Sequence, residues 1–394
     1  MARRRERTRN RREAVAPPAP PAPPVTFAPA DGSTGGRCGP LEDPAHVARL
    51  RAALLAHFDA NPRAMPWRGE TDPYRIWVSE VMLQQTQVAT VERYYGRFMA
   101  AFPTVRALAA APADAVLHAW SGLGYYSRAR NLHRAAQRVC EAHGGEIPAD
   151  IDALLALPGI GRSTAGAILA LAAGQRQPIL DGNVKRVLVR LHRIEEPPVT
   201  PAVLARLWAL ADSHTPAGRP GAYTQAIMDL GATVCTRRRP ACGYCPLGAL
   251  CVAHRDGIAE RLPAPRPRRL RPRRASVVML VRLGAGRVLL EKRPNEGLWG
   301  GLWGLPEVAG VDEVAGWCER EIGRAPARLS VHPVLRHGFT HFDLDMTPVE
   351  VEVPEPSRAL DGGRWLWYKL REPARVGLAA PVARLLDSLT QERR

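Results

Sequence analysis

Lysine is almost missing from this 394-residue chain: Lys185, Lys292 and Lys369 are the whole set, and the rest of its 55 basic residues are arginine. With abundant alanine and 37 prolines beside it, that skew matches a codon bias, so arginine standing in for lysine says little about chemistry. Acidic residues are short as well, 38 against 55 basic, and codon bias does not account for that imbalance. The net charge of +17 points to a polyanionic partner. No apolar run approaches the ~20 residues that span a bilayer, and no strongly basic amphipathic anchor helix stands out. The expectation is a soluble protein with no membrane partner. Of seven cysteines, Cys38, Cys140 and Cys318 are scattered and the other four are crowded together, which fits a reducing compartment better than a disulfide scaffold.

The crowded four are Cys235, Cys242, Cys245 and Cys251, spaced C-x6-C-x2-C-x5-C. Thiolates this close along a chain make the ligand set of an iron–sulfur cluster or of a structural zinc. Zinc sites usually present two C-x2-4-C pairs, and here only Cys242 and Cys245 form one. Four unrelated buried cysteines, or two disulfides, are the plain alternatives. Arg237, Arg238 and Arg239 fall inside the first interval, so the loop carries a positive surface and leans toward nucleic acid.

The length suits two globular units plus tails. Residues 1–41, opening MARRRERTRNRR and continuing APPAPPAPPV, have little to bury and read as a disordered basic Pro/Ala-rich arm. The arm lacks the apolar centre of a secretory signal, and its prolines argue against an amphipathic transit helix. Residues 42–260 repeat apolar residues at helical spacing with short Gly/Pro breaks and read as all-α. Residues 261–274, rich in arginine and proline and free of acid, form a basic linker. From Ala275 to 391 the pattern becomes mixed α and β: SVVMLVRL and RVLLEKR as a hairpin, VEVEVP and RWLWYKL as strands, VAGWCEREI and PVARLLDSLT as helices.

Within the helical region, LPGIGRSTAGAILALA (157–172) has the form helix, glycine hairpin, helix. Gly159 and Gly161 permit a tight turn, and the amides opening the second helix can meet a phosphate oxygen. Such an element grips a backbone without reading bases. Downstream, Asp181 precedes a helix whose buried stripe is Val184, Val187, Leu188 and Leu191. Taken alone, Asp181 or Asn183 is an N-cap. Glu80, in WVSEVMLQQTQ, has apolar neighbours, and desolvation there would raise its pKa toward that of a general acid. Taken alone, it reads as an exposed first-turn carboxylate favoured by the helix dipole.

In combination these segments resemble the MutY family of adenine DNA glycosylases. SEVMLQQTQVATV, GLGYYSRARNLH, LPGIGRSTAGAI, ILDGNVKRVL and the cysteine quartet stand in that family's order, and the resemblance covers roughly residues 47–391. It implies an all-α helix-hairpin-helix glycosylase domain with a [4Fe-4S] cluster loop at 235–251, followed by a C-terminal α+β Nudix-like domain. It implies removal of adenine mispaired with 8-oxoguanine, or with guanine, in duplex DNA, leaving an abasic site. The target base would be flipped out. By this resemblance Glu80 and Asp181 are the catalytic carboxylates, with Asn183 beside the reacting nucleotide. Arg68, Leu83 and Ser163 line the adenine pocket. Gln85 and Tyr125 wedge into the duplex, while Gly159, Gly161 and Lys185 contact DNA. Related endonuclease III-like enzymes carry a Schiff-base lysine where this chain has Ser163, so the expected enzyme is a monofunctional glycosylase and the bifunctional lyase is the alternative.

The C-terminal unit resembles the Nudix-like domain that reads 8-oxoguanine in that family. Gly301 and Glu307 keep the first spacing of a Nudix box, but the expected Arg-Glu pair falls on Ala315 and Gly316. Without those carboxylates a Mg²⁺–pyrophosphate site is not expected, so recognition, not hydrolysis, is the role the resemblance implies. The recognition loop is Phe339-Thr340-His341. The protein is expected to act as a monomer, cytoplasmic and nucleoid-associated in a bacterium, or nuclear or mitochondrial in a eukaryote.

Overall fold

A computed structural model describes residues 43–265, 270–284, 286–339, 341–355 and 363–391. The arm expected over residues 1–41 lies outside the described residues, as do 266–269 of the linker and Thr340 of the recognition loop. The N-terminal region is helical throughout: α1 Pro44–Ala60, α2 Pro73–Leu83, α3 Val88–Ala101, α4 Val105–Ala110, α5 Ala113–Trp120, α6 Ser127–Ala142, α7 Ile151–Leu155, α8 Arg162–Ala172, α9 Gly182–Leu191, α10 Pro201–His214, α11 Pro220–Thr233 and α12 Val252–Arg255. Sequence signals explain several starts. Asp43 and Asp72 cap helices whose first residue is proline, and Asp150 and Asp181 accept backbone amides two or three positions on.

The helices divide into two lobes, each with its own core. One gathers Trp77, Met82, Phe98, Leu108, Trp120, Leu132 and Ile168 from α2–α6 and α8. The other packs Leu50 and Leu54 of α1 against Val187 and Leu188 of α9, Leu207 of α10, Ile227 and Leu230 of α11, Leu247 of the cysteine loop and Ala253 of α12. Glycines let the lobes close on each other. A Cβ on Gly166 of α8 would sit 2.7 Å from the Pro178 carbonyl, and one on Gly221 of α11 would sit 2.7 Å from that of Ala170. The seam between the lobes is therefore narrow, and it runs past the last turn of α2 and the first turn of α9.

The C-terminal region is a mixed sheet with two helices: β1 Arg273–Leu283, β2 Arg287–Lys292, β3 Trp303–Gly304, β4 Glu307–Val308, α13 Glu313–Glu321, β5 Arg328–Val331, β6 Leu335–Gly338, β7 Asp343–Val353, β8 Trp365–Lys369 and α14 Ala380–Gln391. Strand β1 starts two residues before the expected Ala275, and Leu262 is buried in the second lobe, so the connecting segment is shorter at both ends than 261–274. β1 pairs in parallel with β7 over its full length, and the expected β1–β2 hairpin is present. α13 covers one sheet face over Val281, Leu289 and Val351. The other face, with Leu280, Leu290 and Leu344, continues into the core of the first helical lobe.

Candidate active site and nucleic-acid interface

Glu80 lies in the last turn of α2, not the first, because Asp72 and Pro73 start that helix seven residues earlier. A carboxylate at a helix C-terminus faces unpaired carbonyls, so the dipole reading of Glu80 does not hold. Burial pushes its carboxyl up to about 7, and the neighbouring Asp181 charge adds to the rise while the Arg68 guanidinium opposes it. Asp181 faces it across the seam as the N-cap of α9, accepting the Val184 amide at 2.7 Å through Oδ1. Asn183 Nδ2 donates to its other oxygen at 3.2 Å. Burial also raises Asp181, but the amides of Val184 and Asn183 and the Arg186 charge pull it back. One acid is thus poised to carry a proton near neutrality, and the other is supplied with donors that favour its anion.

The capping reading of Asp181 holds, and the cap leaves its second carboxylate oxygen free for another contact. The cap spends Oδ1, and the second oxygen is oriented by Asn183. Asn183 is in turn held by Arg186, whose Nη2 donates to Asn183 Oδ1 at 2.9 Å and whose Nε donates to the Cys235 carbonyl at 2.7 Å. Gly231 of α11 permits this closeness, since a Cβ there would lie 2.6 Å from that of Asn183.

Arg68 donates to Gln225 Oε1 and Asp229 Oδ2, both at 2.6 Å, and its buried Nε meets no hydrogen-bond partner among the described residues. Leu83 is partly buried at the end of α2. Ser163 Oγ accepts the Leu180 amide at 2.9 Å, so the hydroxyl fastens the segment leading into Asp181. Lys185 sits in the first turn of α9, next to these groups in sequence.

The expected helix-hairpin-helix is present as α7, a turn and α8. Gly159 has φ +80°, and a Cβ there would meet Asn131 at 2.6 Å. Gly161 caps α8 without any side-chain hydrogen bond, which leaves the first amides of the helix available. Gln85 and Tyr125, both exposed, occupy left-handed backbone at φ 56° and 48°. One buried side chain fastens both their loops. Arg128 Nη1 donates to the carbonyls of Val81 at 2.9 Å and Met82 at 2.8 Å, and Nη2 donates to Thr86 Oγ1 at 3.0 Å and to Gly124 at 3.1 Å. Sequence reasoning missed Arg128, Arg186 and Arg190, although Arg128 stands inside the quoted GLGYYSRARNLH.

The four loop cysteines line one pocket, together with Arg190, Pro240 and His254. All four are free thiols, which excludes the two-disulfide alternative. Arg190, 2% exposed, donates to Cys235 Sγ at 3.2 Å, to the Thr236 carbonyl at 2.7 Å and to that of Leu262 at 2.9 Å. Burial pushes the Cys245 thiol up to about 11. Among the described residues, no group of three or more His, Cys, Asp or Glu side chains is arranged to hold a metal ion. Arg237, Arg238 and Arg239 are exposed on the same loop.

In the C-terminal domain, Phe339 and Phe342 stack at 4.6 Å and close the β6–β7 hairpin through the Phe339 amide and Phe342 carbonyl. His341 is exposed at that tip. Glu307 is consumed by an ion pair with Arg293, which leaves no free carboxylate at the Nudix-box position.

Two sequence families match this architecture: residues 78–212 match the HhH-GPD superfamily of base excision DNA repair proteins, and 277–388 match the NUDIX domain. The fold and site thus define a helix-hairpin-helix repair protein with an appended Nudix-type domain. The adenine DNA glycosylase of Buchnera aphidicola is 34% identical over 340 residues, covering 85% of this chain and 96% of the relative. That of Rattus norvegicus is 38% identical, covering 84% and 77%. A solved thermostable thymine-DNA glycosylase is similar over 53% of this chain and 97% of its own, at 27% identity and a TM-score of 0.49. The chain belongs to the adenine DNA glycosylase family. Among the described residues no helix is long and apolar enough to cross a membrane.

Proposed function

We propose that the chain hydrolyses the N-glycosidic bond of adenine paired with 8-oxoguanine, or with guanine, in duplex DNA and leaves an abasic site without cutting the strand. The observation that carries this reading is the pair of carboxylates across the lobe seam, with Glu80 raised to about 7 and Asp181 supplied with donors. Glu80, protonated, delivers its proton to the purine ring of the flipped adenine, at N7 by family resemblance, and turns the base into a leaving group. Asp181, ionised and oriented by Asn183, stabilises the oxocarbenium-like sugar, as the paired carboxylates of glycoside hydrolysis do. Arg68 and Leu83 border the adenine. Ser163 offers a hydroxyl already accepting a hydrogen bond and no amine, which supports a monofunctional outcome over the bifunctional lyase.

The donor set at 235–251 suits a [4Fe-4S] cluster held by Cys235, Cys242, Cys245 and Cys251. Four free thiols share one pocket, the donor set of an iron–sulfur cluster, and a bound cationic centre would hold them as thiolates. When bound, such a cluster pins the loop that presents Arg237–Arg239 to phosphates. Gln85 and Tyr125 enter the duplex where the adenine leaves, and the hairpin tip Phe339–His341 reads the opposite purine. The expected agent is a monomer acting wherever its genome lies.

Single-turnover adenine release from an 8-oxoguanine:adenine duplex, beside an undamaged duplex and a Glu80→Gln variant, tests the reading. Release confined to the mispair, strand breaks appearing only after alkali, and loss of release in Glu80→Gln are expected. Substantial release by Glu80→Gln would remove Glu80 from the acid role. Visible iron–sulfur absorption of the purified protein tests the cluster, and stoichiometric zinc in its place would overturn it.

A further inference from the structure

Six non-glycine residues among those described adopt left-handed backbone: Gln85, Tyr125, Arg193, Arg219, Arg239 and Trp299. This conformation costs a bulky residue energy and persists where the surroundings enforce it. Arg193 and Arg219 are engaged in surface ion pairs with Glu195, Asp256 and Asp59, so the backbone alone does not mark function. Arg239 belongs to the basic cysteine loop. The remaining three carry neutral side chains with a planar group, and two of them are the wedge residues Gln85 and Tyr125.

Trp299, at φ 54°, lies in a tight loop between β2 and β3 with Gly297 and Gly301 at φ 84° and 74°. The loop folds back on itself, the Gly301 amide meeting the Pro294 carbonyl at 3.0 Å. It is fastened to the helical region by Arg130, whose Nη1 donates to the Gly300 carbonyl. The loop forms one wall of a cleft of about 420 Å³ whose opposite wall carries Gly122, Tyr125 and Arg130. The partly buried indole leans on Phe339 at 5.4 Å and on His337 at 5.9 Å, so it is continuous with the hairpin tip. Guanidinium groups lie along the aromatic wall: Arg293 beside Trp299 and paired with Glu307, Arg274 over Phe342, and Arg271 donating to the Phe339 carbonyl at 3.2 Å and paired with Asp343 at 3.5 Å. An aromatic ring lining a cleft with Arg130, Tyr125 and Phe339 is the chemistry that receives an unstacked base with its phosphate.

We propose that Trp299 joins Gln85 and Tyr125 as a third planar side chain held on left-handed backbone to contact the duplex, its indole stacking on the strand opposite the excised adenine, at the purine that faces it. This rests on the reading that the C-terminal domain meets that purine. Stacking is indifferent to base identity, so Trp299 supplies affinity, and discrimination between 8-oxoguanine and guanine stays with the hairpin tip.

The test uses full-length protein and duplexes holding 8-oxoguanine or guanine opposite a non-hydrolysable 2′-fluoro adenine nucleotide, with Kd measured for Trp299→Ala, Trp299→Leu, Trp299→Phe and His341→Ala. Trp299→Ala is expected to bind both duplexes about ten-fold more weakly, with the preference ratio kept. Trp299→Phe, which keeps a ring face, rescues most of the affinity. Trp299→Leu, which can pack on Phe339 but offers no ring face, falls with alanine; wild-type binding by the leucine variant would overturn the stacking role even if the alanine variant failed to fold. Unchanged Kd in Trp299→Ala, with a lost preference in His341→Ala, would overturn the proposal and leave the domain's reading role standing. If neither variant altered either Kd, the domain's contact with the opposite purine would fall, and the proposal with it.

Discussion

Glu80 is the residue whose chemistry depends most on its surroundings. Its ordinary value of 4.5 rises to about 7, first because the seam desolvates it and then because Asp181 is near. The single-turnover rate should therefore fall ten-fold per unit above about 7 and fall again at acid pH as Asp181, itself raised by burial, takes up a proton, and Glu80→Gln should lose roughly 10²–10⁴-fold of it while DNA binding persists. The same shift predicts a stability signature. Between 4.5 and about 7 the folded protein holds a proton that the unfolded chain releases, so stability falls as pH rises through that window. Glutamine removes this dependence. Glu80→Gln should thus be more stable than wild type by ~1–3 kcal/mol near pH 8 and should converge with it at or below about pH 4.5. Thermal unfolding at the two pH values checks this, and an equal difference at both would contradict the raised pKa. Both carboxylates were legible in the sequence because motif and order name them. The turn of α2 that holds Glu80 was not, because its start is set by Asp72 and Pro73, upstream of the motif.

At the scale of elements, three buried or half-buried arginines hold what helices alone leave loose. Arg128 of α6 collects carbonyls from the end of α2 and from the Tyr125 loop, positions more than forty residues apart from the α2 end. Arg186 and Arg190 of α9 do the same for the Cys235 segment. Replacing Arg128 by methionine should leave several buried carbonyls unpaired and cost roughly 3 kcal/mol or more, measured by denaturant unfolding. It should also weaken duplex binding, because the Gln85 and Tyr125 loops lose their common anchor. Lysine should not rescue it, since a single ammonium cannot fork to both loops. Arg190→Met should lower the iron content of purified protein, read from its visible absorption, while leaving helix content unchanged. Such anchors were illegible in one dimension, because no pattern in the chain tells which distant carbonyls a fold will strand. The long strands β1, β2, β7 and β8 and the long helices were legible from periodicity. β3 to β6 span two to four residues each, too few to show a period, and only their pairing to β1, β2 and β7 creates them.

On the scale of the whole molecule, the helical and sheet regions share one hydrophobic core instead of meeting through a polar interface. The join is tight at Gly377. A Cβ there would lie 2.6 Å from the Leu117 Cβ of α5 and 2.9 Å from Leu302 Cδ2, and the Gly377 carbonyl accepts the Trp303 amide at 2.9 Å. Around it Tyr126 Oη donates to the Leu378 carbonyl at 2.9 Å, and Lys292 pairs with Asp114 at 3.0 Å. Tyr126 follows Tyr125, the proposed wedge residue, so this join ties the Tyr125 loop to the domain that carries Phe339 and His341. The carboxylates at the seam of the two helical lobes are built from α2 and α9 and do not depend on it. Gly377→Ala should therefore force Leu117 and Leu302 apart, cost about 1–3 kcal/mol by overpacking, and shift the tip relative to Tyr125. The expected outcome is a lowered Tm and a reduced preference for 8-oxoguanine over guanine opposite adenine, with the single-turnover rate on a guanine:adenine duplex nearly unchanged. An equal loss of rate on both duplexes would mean that the join also positions Glu80 and Asp181; a wild-type Tm and preference would mean that the shared core yields without moving the tip.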